Sequence, residues 1–361
     1  MNSITILGGG ELWTVESMKE FINRGYEVSL VCKKKSEIIN PAKSTSAEIF
    51  ELNISGDLNP FTIFRLVNIF RQKKINIVIA NTGKDLRLSG LASKFLKNVK
   101  VIARQGIDSP LKNNLVYKYV YNHLASAIVA NSESTKNTML KNASWLDHNR
   151  IKVIYNGITP QTFDKSKTAD LRKVLGFSEN DFIVGFIGRL SVQKGLIFAL
   201  EGFKLLAEKF DNAHLLICGE GELRNDADNF IIKNNLQNKI HLLGFRKDIP
   251  DLMRTIDVLL TPSLWEGFGI VLIEAMASGK PVVASMISSI PEIIEDGVSG
   301  ILIPPENSNS IYDALSRLLS NPGMCRQLGK NGLKIFNEKF TSYKMIKSYE
   351  EVFDRLLRSR Q

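Results

Sequence analysis

The feature that most limits what this chain can become is an alternation. Short apolar runs recur along it, and each is followed by a stretch whose apolar residues fall at helical spacing. Runs such as "VLLT" and "PVVAS" are continuous instead of polar at every second residue, the pattern of strands covered on both faces. Strand, helix and strand in succession make βαβ units, and hence parallel sheets.

The alternation comes in two series. The first opens with a short strand at 3–7, a glycine turn and a helix ending at Arg24-Gly25, followed by the strand "YEVSLVC". It continues with a helix near 60–73, "INIVIA", a helix near 87–97, "VKVIA", a helix near 112–125, "AIVA" and a helix opened by "NSES". "IKVIYNGI" closes it, with Asn156-Gly157 as a turn, and polar residues follow to about 180. The second series begins at "DFIVGFIGRL" and runs through helix 195–209, "HLLICG", helix 222–234, "IHLLG", a short helix near 248–255 and "VLLTPS". Helix 270–278, "PVVAS", a short helix at 291–295 and "GILIP" complete it, with helices to the end. At 361 residues the chain exceeds one ordinary core. The expected organisation is therefore α/β, with domains at 1–165 and 166–340. Ligands of such sheets bind beyond the carboxyl ends of the strands, so the loops there carry the chemistry.

Composition removes several function classes. No apolar stretch approaches the ~18 residues of a membrane span, and "MNSITILGGGELW" lacks the basic start and apolar core of a secretory signal. A cytoplasmic protein is expected. Cys32, Cys218 and Cys325 lie far apart with no CxxC spacing, and the four histidines form no ligand cluster, so no structural metal is expected. Net charge is +10 and unevenly placed: residues 1–156 hold 22 Lys+Arg against 12 Asp+Glu, and the remainder 25 against 25. Such a half is either a solvated basic surface or one drawn to an anionic partner, an anionic membrane face or a phosphate-bearing acceptor. No basic helix with interleaved aromatics or other nucleic-acid motif accompanies it, so no nucleic acid is expected.

Four stretches invite a chemical reading. Gly8-Gly9-Gly10-Glu11 follows a strand and opens a helix, but a dinucleotide fingerprint would need glycine at Trp13 and an acid where Lys33-Lys34-Lys35 stand. Gly9 and Gly10 form either a tight turn or a close backbone approach to phosphate or sugar. Asp226 and Asp228, in "DAD", resemble a metal-binding pair but lie inside a polar helical stretch, a solvated face. In "GFIGRLSVQKG" a strand ends at Gly188, Arg189 follows, and Lys194 precedes the glycine that starts a helix. A guanidinium fork and a mobile ammonium together suit a diphosphate. In "EGFGIVLIE", Glu266 and Glu274 flank a turn after a strand, and the helix should begin near Ile270. Phe268, Gly269 and Ile270 then offer backbone N–H groups at a helix terminus, where anions and sugar oxygens bind. Were all eight steps helical, the two acids would stand ~12 Å apart along the axis, the scale of a nucleotide sugar. One carboxylate would accept hexose hydroxyls and the other a ribose diol, with the diphosphate between them.

These residues, with "ICGEGELR", "LLGFRKDIPDLM", "IPEIIEDGVSGILIPPEN" and "IVANSESTKN" in the same order, give a chain that resembles the family-four retaining glycosyltransferases of the glycosyltransferase-B fold over nearly its whole length. The resemblance implies two Rossmann-like domains with parallel sheets facing each other across a cleft, the first for acceptor and the second for donor. It also implies a terminal helix, 341–361, that returns to the first domain through Met345, Ile346, Val352, Phe353, Leu356 and Leu357. It makes Arg189 and Lys194 the diphosphate pair, Glu266 the contact to the transferred sugar and Glu274 the ribose acid. Gly188, Phe268, Gly269 and Ile270 face the donor, and Gly244, Phe245 and Arg246 lie beside the nucleobase. The donor is a nucleoside-diphosphate sugar, used as a substrate with no separate cofactor and no metal. The acceptor is a saccharide or lipid-linked saccharide, and the place the cytoplasmic side of a membrane with peripheral contact. Two departures stand out. A histidine that many members carry after the strand at 99–103 is absent from "RQGID", leaving Arg104 and Asp108 as its substitutes, and Ser288-Ser289 replace an acidic or glycine-rich pair. A phosphorylase or synthase of the same fold, and a non-catalytic nucleotide-sugar-binding scaffold, are the competing readings.

Overall fold

The computed structural model of the chain describes residues 1–6, 8–164, 166 and 168–358. They divide into two compact units, Met1–Ile158 with Ser342–Gln361, and Thr159–Thr341. The first division falls earlier than the boundary read at 165, because a 3₁₀ turn at Pro160–Phe163 belongs with the second unit.

The first unit runs α1 (Gly9–Asn23), β1 (Ser29–Lys33), α2 (Ile39–Ala42), β2 (Glu48–Leu52), α3 (Pro60–Gln72), β3 (Ile77–Ala80), α4 (Gly83–Ser93), β4 (Lys100–Gln105), α5 (Leu115–Tyr119), β5 (Ala127–Ala130), α6 (Glu133–Leu140) and β6 (Ile151–Val153). Side-chain caps fix where its helices start. Asn59 accepts from the amides of Phe61 and Thr62, Thr82 from Asp85, Asn114 from Tyr117 and Ser132 from Thr135. The Thr82 cap moves α4 four residues ahead of its expected start at 87. The helix expected over 112–125 is α5 followed by a π-helical turn at Val120–Leu124. There Gly90 lets α4 close onto the turn, since a Cβ on it would stand 2.6 Å from that of Leu124.

All strand pairs are parallel, but they form two pieces: β1 with β2, and β3-β4-β5-β6. The strand expected at 3–7 is not formed among the described residues, and Leu7 lies outside them. Asn2 Oδ1 accepts from the Ile4 amide at 3.0 Å, a turn that leads the backbone away after a single bridge between Asn2 and Cys32. Met1 and Asn2 touch both pieces: Met1 N donates to Ile79 O, Asn81 N to Met1 O and Asn2 N to Val31 O. Behind them a cavity of about 550 Å³ separates β1 from β3, lined by Leu30, Val31, Ile77, Val78, Phe21 and Phe353.

The second unit runs β7 (Phe182–Ile187), α7 (Leu196–Ala207), β8 (Ala213–Cys218), α8 (Arg224–Lys233), β9 (Ile240–Gly244), α9 (Ile249–Thr255), β10 (Val258–Thr261), α10 (Ile270–Ala277), β11 (Val282–Ser285), α11 (Ile290–Ile293), β12 (Gly300–Ile303), α12 (Ser308–Ser320) and α13 (Pro322–Lys339). Its six strands pair in the order β12-β11-β10-β7-β8-β9, all parallel. β10 and β11 are buried at every residue, as their continuous apolar runs require. Gly202 lets α7 lie against α12, because a Cβ there would meet that of Ile311 at 2.7 Å.

The last helix, α14 (Ser342–Arg358), belongs to the first unit; 359–361 lie outside the described residues. Its apolar stripe buries Met345, Ile346, Tyr349, Val352, Phe353 and Leu356, while Leu357 is half-buried. Phe353 stacks on Phe21 of α1 at 5.4 Å, and Arg24 pairs with Glu350 at 2.7 Å. Among the described residues no helix is long and apolar enough to cross a membrane.

Candidate active site

Sheet order decides which loops meet. Because β10, β7, β8 and β9 are neighbours, the loops leaving their carboxyl ends form one continuous edge. Hydrogen bonds stitch these loops together. Leu190 N donates to Glu220 O at 3.0 Å, Leu264 N to Gln193 O at 2.8 Å, Gly219 N to Gly244 O at 2.9 Å, and Gln193 Nε2 to Trp265 O at 3.1 Å. Two glycines permit the approach. A Cβ on Gly195, which has φ +68°, would stand 1.9 Å from Pro262 O, and one on Gly221 would stand 2.3 Å from Leu190 O.

This stitching brings Lys194 to Glu266. The ammonium donates to Glu266 Oε1, which also accepts from Ser263 Oγ at 2.9 Å. Glu266 is 5% exposed, so its charge is held by a cation and a hydroxyl in place of water. The Lys194 stem passes Gly188, whose Cβ position lies 3.6 Å from Lys194 Cε. Arg189, next along, is exposed, and among the described residues its guanidinium has no hydrogen-bond or ion-pair partner. The edge therefore carries one neutralised cation and one uncommitted cation side by side.

The turn after Glu266 is braced from the loop that follows β11. Ser289 Oγ donates to Phe268 O at 3.1 Å, and the Glu266 amide lies 3.5 Å from Ser288 Oγ. Ser288 and Ser289, the pair that departs from the family's acidic or glycine-rich one, thus contact the turn after Glu266. Phe268 is buried, Gly269 takes φ +88° as the cap, and α10 starts at Ile270 as expected. The amides of Gly269 and Ile270 stand at the open end of the helix, where no preceding turn can accept from them. Glu274, in the second turn of α10, is half-buried, and its carboxylate has no hydrogen-bond partner among the described residues. Burial alone pushes its carboxyl up to about 7.

Phe245 and Arg246 follow β9 on the same edge. Phe245 is 67% exposed. The Arg246 guanidinium is spent on Asp248, donating from Nε to Oδ1 at 2.9 Å and pairing with Oδ2 as well, which raises the arginine and lowers the aspartate. Asp226 and Asp228 sit in α8, Asp228 paired with Arg224 at 3.1 Å, as a solvated face predicts.

The first unit's candidates turn out differently. The Arg104 guanidinium lies against the loop from within, its Nη1 2.6 Å from where a Cβ on Gly106 would stand. It is 7% exposed, lies 3.6 Å over the Trp13 ring, and donates to Asn156 Oδ1 at 3.1 Å. Tyr349 of α14 lies on its other side, while burial lowers its pKa. It is a structural tie between α1, β4 and α14. Gly9 and Gly10 are exposed at the start of α1, but the anion nearest that helix end is the chain's own. Glu11 Oε2 accepts from Gly8 N at 3.0 Å and Oε1 from Asn2 Nδ2 at 3.1 Å. Asp108 keeps an acceptor to offer: Oδ2 lies 3.4 Å from Ser134 Oγ, and Oδ1 is buried with no partner.

Sequence reasoning did not assign roles to Ser263, Gln193 or the two bracing serines. Ser263 was visible through its Ser-x-x-Glu spacing to Glu266, a capping pattern that here joins two side chains.

Comparison with known proteins shows the family and the fold. The "Glycosyltransferase Family 4" model matches residues 7–162, and the "Glycosyl transferases group 1" model matches residues 167–335. The uncharacterised glycosyltransferase MJ1178 of Methanocaldococcus jannaschii is 30% identical over 81% of this chain and 80% of its own. The UDP-Gal:alpha-D-GlcNAc-diphosphoundecaprenol alpha-1,3-galactosyltransferase of Escherichia coli is 26% identical, with 91% of each covered. Among solved structures, Anabaena Alr3699/HepE in complex with UDP and glucose superposes with a TM-score of 0.83 at 22% identity, covering 97% of this chain and 99% of that one.

Proposed function

Because the chain belongs to the family-four glycosyltransferases of the glycosyltransferase-B fold, we propose that it moves a hexosyl unit from a UDP- or GDP-linked sugar to an acceptor hydroxyl, with retention of configuration and without a divalent metal. The observation that carries this reading is the shared edge of β7 and β10, where Arg189, Lys194, Glu266 and the open end of α10 belong to loops bonded to one another.

In this mechanism the sugar C1–O bond to the diphosphate breaks while the acceptor oxygen bonds C1 from the same face. The acceptor proton passes to the departing diphosphate oxygen. Negative charge grows on the leaving group, where Arg189, Lys194 and the Gly269 and Ile270 amides meet it more strongly than in the ground state. Glu266 orients the hexose hydroxyls and holds Lys194, and Glu274 receives the ribose diol. Phe245 lies against the base. Asp108, with its free acceptor atom, lies on the acceptor side.

The acceptor we assign is a saccharide carried on a lipid diphosphate, in surface-glycan assembly at the cytoplasmic face of a membrane. Support comes from the relative whose name gives a diphosphoundecaprenol-linked acceptor, and from the excess charge of the first half.

Thermal shift across UDP, GDP, ADP and TDP, followed by transfer assays with the matching sugar nucleotide and with glucose 1-phosphate, tests the reading. One diphosphate should raise Tm selectively, since saturation at a hundred times Kd adds about 2.7 kcal/mol. Turnover with glucose 1-phosphate alone would replace it with a phosphorylase. Equal, absent turnover in wild type and Lys194→Ala would leave a scaffold.

A further inference from the structure

The edge of the second sheet opposite the transfer loops carries chemistry of its own. The chain enters this unit through residues 168–181, which lead into β7, and the segment is fastened there at two points. The first is permanently charged. Arg172 donates to both carboxylate oxygens of Asp257 at 2.7 Å and, from its other terminal nitrogen, to Asp181 O at 2.9 Å. Ala169 N and Leu171 N add bonds to Asp251 Oδ1 and Thr255 Oγ1, each 2.9 Å.

The second point is aromatic and titratable. Phe177 is buried, and its ring centroid lies 5.0 Å from that of His214 and 5.1 Å from that of His241. The two imidazoles come from the amino ends of neighbouring strands, β8 and β9, and meet with His241 Nε2 3.4 Å from His214 Nδ1. One of those two nitrogens must therefore be without a proton.

Few charges reach the pair. Asp181 Oδ2 lies 4.0 Å from His214 Nε2, and with a backbone hydrogen bond to Asn238 it favours a charge on that ring, whereas Lys239 opposes one. For His241 the titrating neighbour is His214 itself. Burial lowers both rings below their ordinary 6.5. One proton can be accommodated, on His214 beside Asp181, with its Nδ1–H donated to a neutral His241. A second cannot, because two N–H groups on two charged rings would then meet at the same contact.

We propose that His214 and His241 form a proton-operated latch on residues 168–181, closed while either ring is neutral and released from Phe177 when both are charged. The latch lies apart from the transfer site and does not depend on which sugar is moved. Rings with folded pKa values below 6.5 bind protons more readily once released, so the latch is complete above pH 6.5 and is lost as pH falls below it.

The test is amide hydrogen exchange of the full chain from about pH 7.5 to about pH 5, corrected for intrinsic rates. The amides of Leu175 and Phe177, bonded to Leu171 O and Arg172 O, should lose protection roughly tenfold relative to those of Ile183 and Leu215. In His214→Gln and in His241→Gln, where only one charge can form, the loss should stay under about twofold. Two variants should move the midpoint while leaving both rings in place. Asp181→Asn keeps an acceptor for Ser178 N but removes the charge that tolerates the first proton, so release should need lower pH. Lys239→Gln removes the opposing cation and should bring release to higher pH. Histidine Cε1 NMR titration should show two protonation steps, the second tracking the loss of protection. No loss in wild type, an equal loss in the glutamine variants, or a midpoint unmoved by Asp181→Asn and Lys239→Gln would overturn the latch.

Discussion

Lys194 and Glu266, 72 positions apart in sequence, share a hydrogen bond at the meeting point of two strand ends. Each therefore sets the other's availability. On the proposed reading, an arriving diphosphate would compete with Glu266 for the ammonium, and an arriving sugar hydroxyl with the ammonium for the carboxylate. A donor that brings both groups satisfies both partners at once, which nucleotide alone does not.

Removing the cation tests this coupling. Lys194→Ala should lower kcat by two to three orders of magnitude, the ~2.7–4 kcal/mol lost with one preorganised donor. It also leaves Glu266 buried without its cation, so Tm should fall. Lys194→Ala with Glu266→Gln should recover much of the Tm and none of the kcat. Recovery of both would mean that the pair is structural only.

Glu274 should cost the fold stability that the site needs. Its carboxyl is pushed up to about 7 from an ordinary 4.5. A raised acid stabilises the folded state below the unfolded pKa, and that contribution disappears as pH climbs through 7. Glu274→Gln should therefore match wild type near pH 4 and exceed it by about 3 kcal/mol at pH 8. Chemical denaturation at the two pH values measures this.

The same variant has a second signature in binding. Ribose hydroxyls would favour the ionised form, so nucleotide affinity should tighten between pH 6 and 8 in wild type relative to Glu274→Gln. Taking the ratio at each pH cancels titration of the ligand's own phosphate. A pH-independent ratio would remove Glu274 from the ribose site.

Gly195 is the hinge pin of the loop pair. An alanine Cβ there would collide with Pro262 O and occupy a left-handed backbone position. Gly195→Ala should lower kcat at least a hundredfold by displacing Lys194 from Glu266, while the first unit's melting is unaffected. Calorimetry resolving the two units and a transfer assay decide this.

Arg104 should behave as a packing residue. Arg104→Ala removes a buried guanidinium from the Trp13 face and from Asn156 and Tyr349, and should cost the first unit about 3 kcal/mol. Lysine should not restore it, lacking the planar fork. A selective rise in acceptor KM at unchanged stability would return Arg104 to the acceptor loop.

What could be read in advance followed from local chemistry. The start of α10 was legible because Gly269 punctuates a continuous apolar run, and the alternation of β10, α10 and β11 follows from the order of apolar runs alone. The Lys194–Glu266 pair was legible only as two motifs, since their contact depends on strand order, which no local pattern encodes. The burial of Arg104 was not legible because the groups that bury it, Trp13 and Tyr349, come from opposite ends of the chain. The strand at 3–7 failed for the converse reason. Its residues are apolar enough, but the Asn2 side chain offers the Ile4 amide a nearer partner than any neighbouring strand.

The gap between β1 and β3 has its own outcome. Two rows of backbone amides and carbonyls face a greasy hollow there, joined only through Met1 and Asn2 among the described residues, and such rows are templates for any extended peptide of suitable pattern. At high concentration, chains should recruit extended segments of one another into it and precipitate. A short β-branched peptide fused ahead of Met1 or supplied in trans would plug it, and hydrogen exchange at Leu30 and Ile79 would report the plug.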